Sequence, residues 1–538
     1  MIGWYQRLAA RPWLACAAVF GFVVVARLAL LPWQHVPMPA VHDEFSYLLA
    51  GDTFAHGRLT NPPPPFWQHF ETFHVLQQPT YASKYQPLQG VVLAIGEKFF
   101  GLPWAGVLLS TALMCAVICW MLQGWITPGF ALAGALVAAL RIGILSYWMN
   151  SYWGGSVPAI GGALALGALA RIAFRKKYGH AATMALGLAV LVGSRPYDAL
   201  VLGLLSGGVL AWWLLAKQKL PPGTVLRRVI VPAVPLLAIT AALQMGYDFR
   251  VTGHAFELPY QAYDRQYVVA PMLVWSPMRS APVYRHAVMK TLFTGWNVDL
   301  AKEVKSNLAG SFLLKMAALN NFFFGLYPLL VAPLIWPFPL KTDEEKLTVW
   351  LLLGFLLALA PIAGFQPHYG AAIAGLVYLR FLQAISRLKE WRLAARPLGW
   401  TLAVFFLALI PLQFGRDCVD LWRSGESAPR LAINRQHVVR TLEAQPGRHL
   451  VLVRYAPEHY VHEEWVFNSA NIDQQRIIWA REMGPSEDKP FIRYFRGREV
   501  WLLEPDCSPP KLTRYTESAL GSPPHGASPE DQNVGGRP

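Results

Sequence analysis

The sequence is poor in charge. Asp, Glu, Lys and Arg make up 15% of its 538 residues, against roughly 25% in soluble domains. Hydrophobic residues reach 54% and mean hydropathy is +0.31. This balance excludes an ordinary soluble globule and implies a polytopic membrane protein. Cysteine is scarce too, with five in the chain, which excludes a disulfide-stapled scaffold. There is no zinc-finger spacing, no basic repeat with interleaved aromatics, no P-loop, no dinucleotide fingerprint and no nucleophile elbow. The net charge of +15 is therefore read as Lys and Arg held in cytoplasmic loops, not as a nucleic-acid footprint. No internal repeat or inverted symmetry of the transporter kind is found. No cleavable signal peptide is expected, because the first apolar run is long enough to span a bilayer.

What the chain does have is long apolar runs. They predict about eleven transmembrane helices, at 12–33, 103–122, 129–148, 154–174, 180–194, 196–216, 229–247, 320–340, 347–364, 368–386 and 398–415. The pair around Arg195-Pro196 reads either as two short helices or as one broken helix. Basic residues follow alternate spans: Arg171 to Lys177, Lys217 to Arg228, Lys341 and Lys346, and Arg387 to Arg396, with Arg7 and Arg11 before the first. The intervening loops "NSYW" and "GFQPH" carry no Lys or Arg. The positive-inside rule then places the N-terminus in the cytoplasm and the C-terminus outside, in a cell (inner) membrane.

The predicted fold is an all-α polytopic membrane domain, 1–415, with extracytoplasmic loops 34–102 and 248–319. A small extracytoplasmic α/β domain, 416–506, follows. In it "HLVLVRY", "RIIWARE" and "EVWLLEPD" read as strands, and "AINRQHVVRTLEAQ" and "EDKPFIRYF" as helices. The Pro/Gly/Ser-rich tail 507–538 reads as disordered. Cys16, Cys115 and Cys119 fall in apolar runs, as buried small hydrophobes. Cys418 and Cys507 flank the α/β domain, as a disulfide or as two free thiols.

Chemistry-bearing residues cluster outside the apolar runs. In "HDEFSYLLAGDTFAHG", Asp43 and Glu44 open a short amphipathic helix at the mouth of the first span, and Asp43 shares a face with Tyr47. Asp43 is either a helix N-cap or a functional carboxylate. In "PTYASKYQPLQG", Lys84 and Tyr85 precede Pro87, which suits a first helical turn. A lysine beside free helix N–H groups suits a phosphate. Arg27, Arg141 and Arg195 lie inside or near spans, where charge is costly and needs a cavity or partner. Asn150 and Trp153, and His368 with Tyr369, stand at helix mouths as site-lining or belt residues. Gly155, Ala159, Ala163 and Gly167 form a small-residue stripe for close packing. His69 and His74 bracket Glu71 and are weak candidates for a divalent metal.

Asp-Glu near the start of the first outer loop, followed by Lys-x-x-Pro-Leu leading into a helix, resembles the GT-C type glycosyltransferases. The similarity is to the protein O-mannosyltransferase and lipid A aminoarabinose transferase group, and covers mainly residues 12–220. The resemblance implies an enzyme that moves a sugar from a polyprenyl-phosphate donor to a glycan, lipid or protein acceptor outside the membrane. By position, Asp43 would be the catalytic carboxylate, Glu44 its partner, and Lys84 the donor-phosphate contact, with an arginine among Arg27, Arg141 and Arg195 assisting. Relatives often carry a second proline where this chain has "SKYQPLQG". A lipid or solute transporter and a non-catalytic membrane scaffold are the rival readings. No cofactor is implied beyond a divalent metal as an open case.

Overall fold

The computed structural model describes residues 2–325, 340–391, 398–425 and 428–515. The chain enters α1 (Pro12–Ala29) and then makes two helices outside the apolar spans, α2 (His42–Ala55) and α3 (Pro87–Phe100). A two-residue ladder, β1 (Val75–Leu76) with β2 (Ala82–Ser83), lies between them. There follow α4 (Pro103–Trp125), α5 (Ser156–Ala173), α6 (Pro196–Lys217), α7 (Pro222–Thr252), the short polar helix α8 (Pro259–Tyr267), α9 (Pro367–Leu388) and α10 (Leu398–Ser424). Proline at the first turn starts α1, α3, α4, α6 and α8, where its missing N–H costs no hydrogen bond. Gly101, in the left-handed conformation, ends α3.

Among the described residues seven helices are long and apolar enough to cross a membrane, namely α1, α4, α5, α6, α7, α9 and α10. They coincide with seven of the eleven spans expected from sequence, and the chain is a multi-pass membrane protein. The expected spans 129–148 and 180–194 are the shorter apolar helices Pro128–Gly143 and Tyr178–Val192. At Arg195-Pro196 two helices meet. The expected span 347–364 is the 16-residue helix Asp343–Ala358, which starts with three acids. The helix Leu308–Phe324 begins inside the segment assigned to the second outer loop. The remainder of the span at 320–340 falls on 326–339, outside the described residues.

The small-residue stripe serves packing. A methyl added to Gly155 would come 2.4 Å from the Trp148 ring, and one on Gly167 2.5 Å from the Trp120 ring. Ala159 and Ala163 are buried.

The C-terminal domain is an α/β layer. Its sheet has the order β4-β3-β5-β6, from β3 (His449–Val453), β4 (Ile477–Arg481), β5 (Glu499–Glu504) and β6 (Lys511–Arg514). β3 is parallel to both β4 and β5, and β6 is antiparallel to β5. Helices α11 (Arg430–Glu443) and α12 (Pro485–Tyr494) belong to it. The three strands and two helices read from sequence are all present. The sheet also continues past the boundary placed at 506, because β6 pairs with β5 over Lys511–Glu504 to Arg514–Trp501. The rest of the tail, from 516, lies outside the described residues. Cys418 and Cys507 are separate free thiols, so the bridge is not formed.

The sheet packs on the loop that follows α1. Leu49, Phe70, Val75 and Tyr81 share one buried cluster with Leu450, Leu452, Ile478, Phe491 and Leu502. At roughly 25 cal/mol per Å² of apolar surface removed from water, such a seam fixes the domain over the N-terminus of α2.

Candidate functional site

Glu44 makes the start of α2. Its Oε2 accepts the N–H of Ala40 at 2.8 Å and of Val41 at 3.1 Å, closing the acidic half of a capping box. Its Oε1 accepts the Tyr152 N–H at 3.0 Å. Burial pushes the Glu44 carboxyl up, to about 7, and these donors work against that shift. Both oxygens are thus committed to backbone, and Glu44 fixes the start of the helix that carries Asp43. The capping role that the sequence offered to Asp43 falls to Glu44, which leaves the Asp43 carboxylate available.

The Asp43 side chain is 26% exposed. Its Oδ1 accepts the hydroxyl hydrogen of Tyr85, and its Oδ2 lies 3.9 Å from His74 Nε2. Burial raises the Asp43 pKa, while the Tyr85 hydrogen bond and the Lys84 charge pull it down. Such a carboxylate is moved toward the range where a general base works near neutrality.

Lys84 stands in a cage of tyrosines. Its Nζ is 4.9 Å from the Tyr263 ring centre, 5.4 Å from Tyr85 and 5.8 Å from Tyr260, a cation–π geometry. Burial lowers its pKa, and Asp264 and Asp43 act in the opposite sense. Neither carboxylate forms an ion pair with it within 4.0 Å among the described residues. The lysine is held by main chain, its own N–H donating to His74 O at 3.1 Å. The first turn of α3 is less free than its sequence suggests, since the Leu88 N–H donates to Gly193 O at 2.9 Å.

Tyr47 stacks on Tyr85 at 4.3 Å, and Tyr260 meets Tyr85 edge-on at 5.4 Å. On the far side of this tyrosine wall is Arg195. Its guanidinium lies 4.1 Å over Tyr369, donates to Asp198 at 2.9 Å, and its charge reaches Tyr47 and Tyr260. The wall continues through His368, stacked on Tyr369 at 5.1 Å and bonded to Tyr147 at 3.0 Å, to Trp153, 4.9 Å from His368. Asp43, Tyr47, Lys84, Tyr85, Arg195, Trp153, His368 and Tyr369 thus form one connected set.

Other sequence candidates stand apart. Arg27 is fully buried and gives its N–H groups to Asn150 Oδ1 at 3.0 Å, Gln34 O at 2.8 Å and His35 O at 2.9 Å. It pins the chain where α1 ends. Asn150 in turn donates to Ile144 O and Ser146 O, so its side-chain amide is committed to Arg27 and to main chain. Arg141 lies 3.9 Å from Asp417 of α10. His69 and His74 diverge. His69 is 3.2 Å from Asp488 and stacks on Phe491 at the domain seam, whereas His74 faces Asp43. They do not share a metal.

The sequence reading missed Tyr260 and Tyr263, although "PYQAYDRQY" carried a signal, an aromatic stripe at helical spacing on a polar helix. It also missed His42 and His462. His42 Nε2 lies 3.0 Å from Val461 O, and its ring stacks on Phe73 at 4.4 Å and on His462 at 5.4 Å. Burial lowers His42 to about 3, so it is neutral and donates to that carbonyl. His462 comes from the C-terminal domain, within electrostatic reach of Asp43. Away from this set, Asp52, His56 and Glu97 bring three ligand atoms within 4.8 Å of one another.

No family model matches the chain, and no curated protein matches it. Among solved structures the chain is similar to ArnT from Cupriavidus metallidurans bound to undecaprenyl phosphate, at 12% identity over 91% of this chain and 92% of that one, with a TM-score of 0.46. It is also similar to the Archaeoglobus fulgidus oligosaccharyltransferase in complex with Zn and sulfate, at 11% identity over 90% and 67% of the two chains, with a TM-score of 0.48.

Proposed function

We propose that this chain transfers a sugar from a polyprenyl-phosphate donor to an acceptor on the extracytoplasmic side of the membrane, with Asp43 as general base. One observation carries the reading. A partly exposed carboxylate, Asp43, is hydrogen-bonded to Tyr85, while two cations, Lys84 and Arg195, flank the same tyrosine wall at the end of a helical bundle. Lys84 faces aromatic rings without an ion pair among the described residues, an arrangement suited to an incoming phosphate.

The chemistry follows from these positions. The acceptor hydroxyl oxygen attacks the anomeric carbon and a new glycosidic bond forms. The bond from that carbon to the phosphate oxygen breaks, and its electron pair leaves with the polyprenyl phosphate. The acceptor proton passes to Asp43. Lys84 and Arg195 stabilise the negative charge gathering on the phosphate, the largest kind of contribution a fixed site makes. No step of this reading runs through a metal. Glu44 holds Asp43 in place, and the neutral His42 holds the C-terminal domain over the site.

The test compares cells lacking the gene, complemented with wild type or with Asp43→Asn. Mass spectrometry of polyprenyl-phosphate carriers and outer glycans is expected to show sugar-loaded carrier accumulating and one glycan modification missing in the deletion and in Asp43→Asn. The substitution slows proton transfer by roughly 10²–10⁴-fold. Carriers and glycans unchanged in both strains would overturn the reading.

A further inference from the structure

We infer that Asp52, His56 and Glu97 form a divalent-cation site of the zinc type, separate from the Asp43 centre. Asp52 and His56 stand four residues apart at the end of α2, and Glu97 comes from the last turn of α3. The two helices approach closely through glycine. A methyl on Gly51 would lie 2.9 Å from Leu93 Cβ, and one on Gly90 2.7 Å from Ala50 Cβ. That contact brings Glu97 to Asp52.

The ligand atoms lie within 4.8 Å of one another, and His56 Nδ1 is 3.0 Å from Asp52 Oδ1. Zinc bonds of about 2.0–2.2 Å set neighbouring ligand atoms about 3–3.5 Å apart, which a rotation of the partly exposed Glu97 side chain supplies. One imidazole with two carboxylates suits a borderline-soft dication better than Mg²⁺ or Ca²⁺.

Electrostatics point the same way. The Asp52 and Glu97 carboxyls are in hydrogen-bond contact. Neither carboxylate has a Lys or Arg within 4.0 Å among the described residues, and His56 is the basic group beside them. Two carboxyls in contact need a shared proton or a shared cation. Asp52 is also oriented from outside the triad, since its Oδ2 accepts the Ala470 N–H at 2.6 Å, as metal-binding carboxylates commonly are. Ala470 belongs to the C-terminal domain, so a cation here ties α2, α3 and that domain together. Nine residues of helix separate Asp52 from Asp43, about 13 Å, too far for the cation to touch a substrate at Asp43.

The test needs no substrate. Full-length protein in detergent is stripped with EDTA, dialysed against micromolar Zn²⁺ and assayed by elemental analysis and thermal denaturation. Wild type is expected to retain about one Zn²⁺ per chain, to release protons on uptake and to melt higher with the metal. His56→Ala leaves the Ala470 hydrogen bond in place and changes an exposed side chain. It and Glu97→Gln are expected to bind Zn²⁺ at least tenfold more weakly, and to lose the thermal shift. Zn²⁺ binding and thermal response equal in wild type and both variants would overturn the site, as would wild type that retains no Zn²⁺. Neither result bears on the transferase reading.

Discussion

Removing the Glu44 carboxylate tests the assignment of Glu44 as a positioning residue. Three backbone N–H groups, those of Ala40, Val41 and Tyr152, end on its two oxygens. Glu44→Ala strands all three. A buried donor left without a partner costs ~1–3 kcal/mol. Tyr152 is buried and takes the full penalty, while Ala40 is half-buried and is partly rescued by water. The expected loss is about 3 kcal/mol, above the ~1 kcal/mol typical of a lost helix cap, because the carboxylate also holds the Tyr152 loop. For a chain of this size that is an apparent midpoint lower by about 3 °C. Glu44→Gln keeps one acceptor oxygen and should fall between. Asp43→Asn should melt like wild type, since no backbone group of the helix start depends on it. The assay is thermal denaturation of detergent-solubilised protein. A Glu44→Ala protein that melts within about 1 °C of wild type would refute the reasoning.

Three further outcomes are expected. Tyr85→Phe removes a hydrogen bond that favours ionised Asp43, so the Asp43 pKa rises further and the acid limb of the transfer profile moves to higher pH; an unmoved or lowered limb would contradict Asp43 as base. Lys84→Met should weaken binding of a polyprenyl phosphate by ~10-fold or more, while Arg141→Met leaves it unchanged, because Arg141 lies beside Asp417; equal affinity of wild type and Lys84→Met counts against the phosphate role. Single cysteines at 60, 290 and 460 should label from one face of the membrane and one at 177 from the other, and a split among the first three would break the seam between loops and domain.

By itself the sequence determined which segments are apolar helices and which are not. The physical reason is local. Apolar run length and the alternation of basic loops act through the free energy of each segment in bilayer or water, and need no knowledge of partners. The same locality made the three main strands legible, and the acid pair at Asp43 and Glu44. It did not say which acid caps the helix. That depends on where Ala40, Val41 and Tyr152 place their N–H groups, 108 residues apart for Glu44 and Tyr152. Nor did it sort three arginines of similar depth. Arg27 is consumed by carbonyls, Arg141 lies near Asp417, and only Arg195 meets the tyrosine wall. β6 was missed because four residues, two exposed and two half-exposed, carry no hydrophobic signal until β5 offers its edge. Lys84 reached its cage only when Tyr260 and Tyr263, far along the chain on α8, folded back over it. Tertiary packing decided these outcomes, because the worth of a buried charge is set by which donors, rings and charges surround it, and those come from distant parts of the chain.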